Sequence, residues 1–145
     1  MSGQAWQRVI DSGVLDEPPA ACVEQPPEGL LDGIRLFNAG EYYECHESLE
    51  TIWLDERGPI RYLYQGILQI GVGFHHLGNE NFRGARLLLE NGIAKIDCFQ
   101  PTCMTVDTVR LRDESQACLV HLLELGADCI DEFNWGMVPQ VHLVG

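Results

Sequence analysis

The stretch YLYQGILQIGVGFHHLGN, residues 62–79, lacks Asp, Glu, Lys and Arg in a chain with 22 acidic and 9 basic residues. Its apolar residues recur with a period close to 3.6, which predicts an α-helix. A helix without charged side chains has no face suited to bulk water, so we expect it at the centre of the fold. One of its sides is aliphatic and consists of Leu63, Ile67, Ile70, Phe74 and Leu77.

Helical periodicity continues on both sides of this central segment. We predict about five helices, at approximately 28–38, 41–55, 59–77, 81–97 and 107–125, separated by Gly, Asn and Pro breaks. Two proline pairs mark residues 1–27 as an N-terminal arm with a short helix near 4–10. The conformation of residues 127–145 is ambiguous, with 141–144 as a candidate extended segment packed on the bundle. The expected fold is therefore all-α, a single compact helical bundle over residues 28–145 with a Pro-rich arm.

The composition excludes several classes of protein. A length of 145 residues suits one domain, and a net charge of -13 repels phosphate backbones and anionic lipid, so we expect no nucleic-acid or membrane partner. The same charge suits a cationic partner or a metal ion. The N-terminus lacks a signal-peptide pattern, so we expect a cytoplasmic protein. Its six cysteines contain no C-x-x-C pair and are expected to be thiols: Cys22, Cys45, Cys98, Cys103, Cys118 and Cys129.

A weak internal repeat suggests an alternative class, a helical interaction module. Five positions match at one constant offset: Phe37, Tyr42, Cys45, Leu49 and Glu50 align with Leu77, Phe82, Ala85, Leu89 and Glu90. Each copy joins the end of one helix to the start of the next, as in a tetratricopeptide hairpin. Two copies are fewer than such arrays usually need, and their offset exceeds the tetratricopeptide period of about 34 residues.

The segment YYECHESLETIW, residues 42–53, carries the most informative polar pattern. At about 100° per residue His46, Glu50 and Trp53 fall on one stripe, which we expect to project from the aromatic side of its helix. The central helix carries a matching polar stripe that includes Tyr62, Gln65, Gln69 and His76, whereas His75 falls off it. Buried polar groups need partners, so we predict that the two stripes face each other. They would then form one internal site from His46, Glu50, Gln65, Gln69 and His76.

Such a site has the donor set of a catalytic metal centre. We predict His46, Glu50 and His76 as ligands of a divalent ion (zinc, manganese, iron or nickel), with Glu47 as general base. The site would hydrolyse a small substrate. The substrate-contacting or supporting residues would be Tyr43, Trp53, Gln65 and Gln69.

Other roles stay open for these residues. The same side chains can satisfy one another without metal, as a structural hydrogen-bond network. Cys45 beside His46 could be a redox thiol if its pKa were lowered. Arg61, Arg83 or Arg86 could bind an anionic substrate, although ion pairs with nearby acids are the commoner role. The oligomeric state cannot be read from the sequence.

Two segments, FNAGEYYECHESLETIW (37–53) and YLYQGILQIGVGFHHLGNENFRGARLLLE (62–90), resemble the domain of unknown function 309 family. The polar positions that match its motifs are Glu44, His46, Glu47, Glu50, Trp53, Gln65, Gln69 and His76, followed by Asn81, Gly84 and Ala85. The sequence departs from the family pattern at Cys45, His75 and Glu80. Members are small helical proteins often labelled predicted metal-dependent hydrolases. The resemblance therefore implies a helical bundle and metal-dependent hydrolysis.

Overall fold

The computed structural model describes residues 3–145, and helices dominate them. The α-helices are α1 (Gly3–Asp11), α2 (Glu28–Asn38), α3 (Tyr42–Asp55), α4 (Arg61–Gly78), α5 (Phe82–Ile96) and α6 (Thr108–Leu125). The all-α prediction is confirmed, and the helix bounds lie close to those expected. An unpredicted two-stranded antiparallel sheet, β1 (Thr102–Cys103) and β2 (Val106–Asp107), forms a tight turn between α5 and α6. The first two residues of the predicted arm lie outside the described residues.

The helix α4 lies at the centre of the bundle, as its uncharged sequence predicts. Its aliphatic side faces the core, where Leu63, Ile67 and Phe74 are completely buried. Its glycine side lies against α5. A Cβ atom on Gly92 of α5 would lie 2.8 Å from the carbonyl oxygen of Gly66, so the missing side chains let the two backbones approach closely.

The internal repeat corresponds to two helical hairpins, α2–α3 and α4–α5. Gly40 (φ 77°) and Glu80 (φ 57°) occupy the same position in the two turns, and both adopt left-handed backbone conformations. In the first hairpin Leu49 packs against Gly33, and in the second Leu89 packs against Gly73. The two copies therefore share backbone geometry as well as sequence.

The C-terminal residues run extended along the bundle, as expected for 141–144. The Asn38 side chain holds Val141 through two hydrogen bonds: it accepts from the Val141 N–H at 2.7 Å and donates to its carbonyl at 3.0 Å. Leu143 forms an antiparallel bridge with Val106.

The prediction that all six cysteines are thiols was wrong for two of them. Cys22 and Cys103 form a disulfide across a sequence separation of 81 residues. The arm folds back over the β1–β2 turn, where the Met104 N–H donates to the Cys22 carbonyl at 2.7 Å. Sequence spacing gave no sign of this proximity. Cys45, Cys98, Cys118 and Cys129 are free, as expected.

Within residues 3–145 no α-helix combines the length and the apolar character that crossing a bilayer requires.

Candidate functional site

The polar side of α4 borders two hollows rather than one site. The first hollow, about 270 Å³, is lined by Tyr42, Tyr43, His46, Val72, His75 and His76. The second hollow, about 240 Å³, is lined by Ala5, Trp6, Val9, Trp53, Arg61, Tyr62 and Gln65. The helices α3 and α4 run antiparallel, so the start of α3 meets the end of α4 and its end meets the start of α4. The predicted cluster is therefore not one site, because His46 and His76 line the first hollow whereas Gln65 lines the second.

His46 and Glu50 form a contact at the first hollow. His46 Nε2 lies 3.2 Å from a Glu50 carboxylate oxygen, one helical turn away. Their side chains are 34% and 43% exposed. The expectation that they are enclosed was wrong, since Cys45 and Leu49 occupy the fully buried side of α3 and the polar pair lies one residue further round. The pair stands at a rim where solvent or a ligand reaches it.

Two histidines of α4 lie opposite this pair. His76 was predicted as a residue of this site. Its pKa is lowered, mainly by burial and to a lesser extent by the nearby His75, so the neutral form of its ring is favoured. His76 Nδ1 lies 3.5 Å from the Asn81 side-chain nitrogen. His75 was expected to point elsewhere but lines the same hollow, with its ring centroid 5.9 Å from that of Tyr43. The hollow is wide enough to receive side chains from adjacent positions of α4.

The donor types of the first hollow suit a divalent ion, but their present arrangement holds only part of a ligand set. Imidazole nitrogen and carboxylate oxygen are common zinc ligands. His46 and Glu50 are adjacent, and His76 lines the same hollow. In the described part of the chain, however, no three His, Cys, Asp or Glu side chains are grouped as a metal-binding set. Metal binding by these three residues therefore stays a prediction.

Two other predicted participants lie away from the first hollow. Glu47 is exposed, and the residues that line the hollow do not include it. Its role as general base stays a prediction. Cys45 is completely buried, and burial raises its pKa to about 12. A redox cysteine needs an accessible thiolate, so the hypothesis of a redox thiol at Cys45 is wrong.

The two glutamines of α4 are buried, as predicted, each with 6% exposure. Gln65 lines the second hollow. The side-chain oxygen of Gln69 is buried, and no hydrogen-bond donor among residues 3–145 contacts it. A buried acceptor left unpaired costs about 1–3 kcal/mol. The supporting role of the two amides at the His46–Glu50 pair therefore stays a prediction.

The second hollow combines aromatic rings with a cation. The guanidinium carbon of Arg61 lies 5.2 Å from the Trp53 ring centroid and 5.9 Å from that of Tyr62. Trp6 of α1 packs edge-on against Tyr62, with centroids 5.4 Å apart. None of the acids in the described residues forms an ion pair with Arg61, whereas Arg86 approaches Glu90 at 4.0 Å. The usual expectation of an ion pair thus holds for Arg86 and fails for Arg61.

The sequence analysis missed Lys95, the only lysine in the chain. Its side chain is completely buried, and Nζ lies 4.5 Å from the Trp6 ring centroid. A signal was present in the sequence, because Lys95 stands between Gly92 and Ile96 on the apolar face of a predicted helix.

Comparison with known proteins supports the resemblance over part of the chain. Residues 30–88 match the model of a domain of unknown function (DUF309). The uncharacterized protein YpuF of Bacillus subtilis (strain 168) is 35% identical over 69 residues, which cover 46% of this chain. The chain spans 40% of the length of YpuF. Neither description contains an activity, so metal-dependent hydrolysis stays a prediction.

Proposed function

We propose that the first hollow is a hydrolytic site for a small substrate, in which His46, Glu50 and His76 bind a divalent ion. The observation that supports this proposal is the 3.2 Å contact between His46 and Glu50 at a hollow that also receives His76. Zinc, manganese, iron and nickel all accept imidazole and carboxylate ligands. Such an ion acts as a Lewis acid towards a substrate oxygen.

The protein's own groups supply the remaining functions. The Glu50 carboxylate accepts a hydrogen bond from His46 Nε2–H and thereby orients the imidazole, which leaves Nδ1 as the nitrogen that would bind the ion. The lowered pKa of His76 keeps its ring neutral and its lone pair free for a ligand or a proton. Tyr43 and Val72 form apolar walls for the body of a small substrate.

The second hairpin provides an internal comparison for this pair. Arg86 and Glu90 occupy the positions equivalent to His46 and Glu50, and their contact at 4.0 Å is an ordinary surface ion pair. In the first hairpin an imidazole replaces the guanidinium. Imidazole is the side chain that exchanges protons near neutral pH, and it stands beside a hollow.

Metal content and hydrolysis test the proposal together. We expect purified protein to retain zinc, manganese, iron or nickel and to hydrolyse members of a panel of small chromogenic esters and phosphate esters. His46→Asn and Glu50→Gln should lose both properties, whereas the matched variants Arg86→Gln and Glu90→Gln should keep both. Protein without tight metal binding, or a His46→Asn variant that binds metal as well as wild type, would contradict metal-dependent hydrolysis.

A second candidate function, a helical interaction module, is favoured by the duplicated hairpin. Two large hydrophobic residues of α3 are exposed, Tyr43 at 57% and Leu54 at 65%, as in proteins that bind partners through helix surfaces. If this is the function, a specific partner should still bind a His46→Asn, His76→Asn double variant and should lose affinity on Leu54→Ser. Loss of the partner in the double variant alone would instead assign binding to the first hollow.

A further inference from the structure

A buried positive charge, Lys95, lies beneath α1. Lys95 is 0% exposed, and no hydrogen-bond acceptor within residues 3–145 contacts its Nζ. The chain contains 22 acidic residues, yet its single lysine forms no ion pair with those that the structure describes. Buried charges are ordinarily paired, because an unpaired one carries a large desolvation cost. An acceptor group beside Lys95 Nζ would therefore reduce this cost.

Two neighbouring groups lack the same kind of partner. Arg61 Nε and Trp53 Nε1 are both buried, and each has no acceptor among the described residues. Ring contacts connect them with Lys95: Trp6 lies against Lys95 and Tyr62, and Arg61 lies over Tyr62 and Trp53. Arg61 and Trp53 thus line the second hollow, whereas Lys95 lies behind Trp6, a ring that also lines it.

We propose that Lys95, Arg61 and Trp53 form a binding site for a small anion with a flat apolar body, such as a ring that carries a carboxylate or a phosphate ester. The anionic group supplies the acceptors that these donors lack, in charge-assisted hydrogen bonds. The flat body stacks on the rings of Trp53 and Tyr62, which line the second hollow. This site does not depend on metal binding in the first hollow.

Helix α1 covers this site. Trp6 lies over Lys95, so the anion reaches Nζ only when Trp6 moves aside. None of the α1 side chains that the structure describes is fully buried, so α1 can move without taking a core side chain of its own into water. Trp6 therefore acts as the cover of the site.

Calorimetric titration with benzoate and phenyl phosphate, and with neutral benzamide as comparison, tests the site. We expect at least one of the two anions to bind and benzamide to bind about 10-fold more weakly or not at all. Lys95→Met and Arg61→Met should each weaken anion binding by about 10-fold or more. Arg57→Met removes an exposed arginine close in sequence and should leave binding unchanged. Trp6→Ala should bind as tightly as wild type or more tightly.

Amine acetylation followed by peptide mass spectrometry gives an independent readout, because Lys95 is the only lysine and its peptide is distinct from the N-terminal amine. Acetylation of Lys95 should be slow in wild type, fast in Trp6→Ala, and slowed again by the anion that binds. The inference is overturned if neither anion binds wild type or Trp6→Ala at about 10 mM, if both methionine variants bind like wild type, or if benzamide binds equally well. None of these outcomes depends on the metal content of the first hollow.

Discussion

Replacing Lys95 by methionine should stabilise the protein at neutral pH. Burial lowers the pKa of Lys95 from 10.5 to about 8, an effect that nearby Cys98 partly opposes. A shift of this size corresponds to roughly 3 kcal/mol of unfavourable free energy for the buried ammonium, at about 1.4 kcal/mol per pKa unit. Methionine loses the attraction between Nζ and the Trp6 ring, about 0.5–2 kcal/mol. The expected net stabilisation is therefore about 1–3 kcal/mol.

The pH dependence distinguishes a charge effect from a packing effect. Because the folded pKa lies below the unfolded one, the unfolded state binds more protons between about pH 8 and pH 10.5, and folding becomes easier as pH rises through that window. The destabilisation of the folded state by the buried Lys95 ammonium is at its full size below about pH 8 and disappears near pH 10.5. Cys45 and Cys118, whose pKa values burial raises to about 12, weaken stability above about pH 9 in both proteins, so only the difference between variant and wild type is informative.

Urea unfolding of both proteins at several pH values between about 7 and 10.5 measures this difference. The advantage of Lys95→Met should be constant up to about pH 8 and should shrink towards the upper end of the range. Arg83→Met, which removes an exposed charge from the same helix, should show no comparable change. A Lys95→Met variant that is less stable than wild type at pH 7, or an advantage that does not change with pH, would refute the reasoning.

Three further predictions concern stability and titration. Cys22→Ser should lower the free energy of unfolding by about 2–5 kcal/mol, because it opens a loop whose ends lie 81 positions apart in sequence, and the same loss should appear when wild type is unfolded with reductant. Gly92→Ala should lower the free energy of unfolding, measured in urea, by about 1–3 kcal/mol, since its Cβ would lie 2.8 Å from the α4 backbone. Gly78→Ala is the control and should be nearly neutral, because the nearest atom to its Cβ lies at 3.9 Å. In NMR titrations His76 should titrate below its ordinary range, and His75→Asn should raise the pKa of His76; an unchanged value would remove His75 as a cause.

The helices could be predicted because their signals are local. The apolar period, the proline and glycine breaks and the Asn81 cap, whose side chain accepts the Gly84 N–H at 3.0 Å, each act within a few residues. The central position of α4 followed from its lack of charge. The extended tail was also expected, although the Asn38 side chain that holds it was not recognised.

The arrangement of the site could be predicted only in part. A polar stripe at helical spacing gives the direction of a side chain around its helix axis. It does not give how deeply the side chain is buried or which other segment covers it. For that reason His46 and Glu50 were expected to be more buried than they are, and the Trp6 cover over Lys95 was missed. The Cys22 disulfide was missed because long-range proximity leaves no trace in local spacing.

Anomalous diffraction from a crystal soaked in zinc or manganese tests the central claim, a divalent ion held by His46, Glu50 and His76, most directly. The account predicts an anomalous peak about 2.0–2.3 Å from a His46 nitrogen and a Glu50 oxygen, with His76 turned towards it, and no such peak at the equivalent Arg86 and Glu90 positions. The claim would be contradicted by a crystal that binds the ion at other sites but shows no anomalous peak at the first hollow.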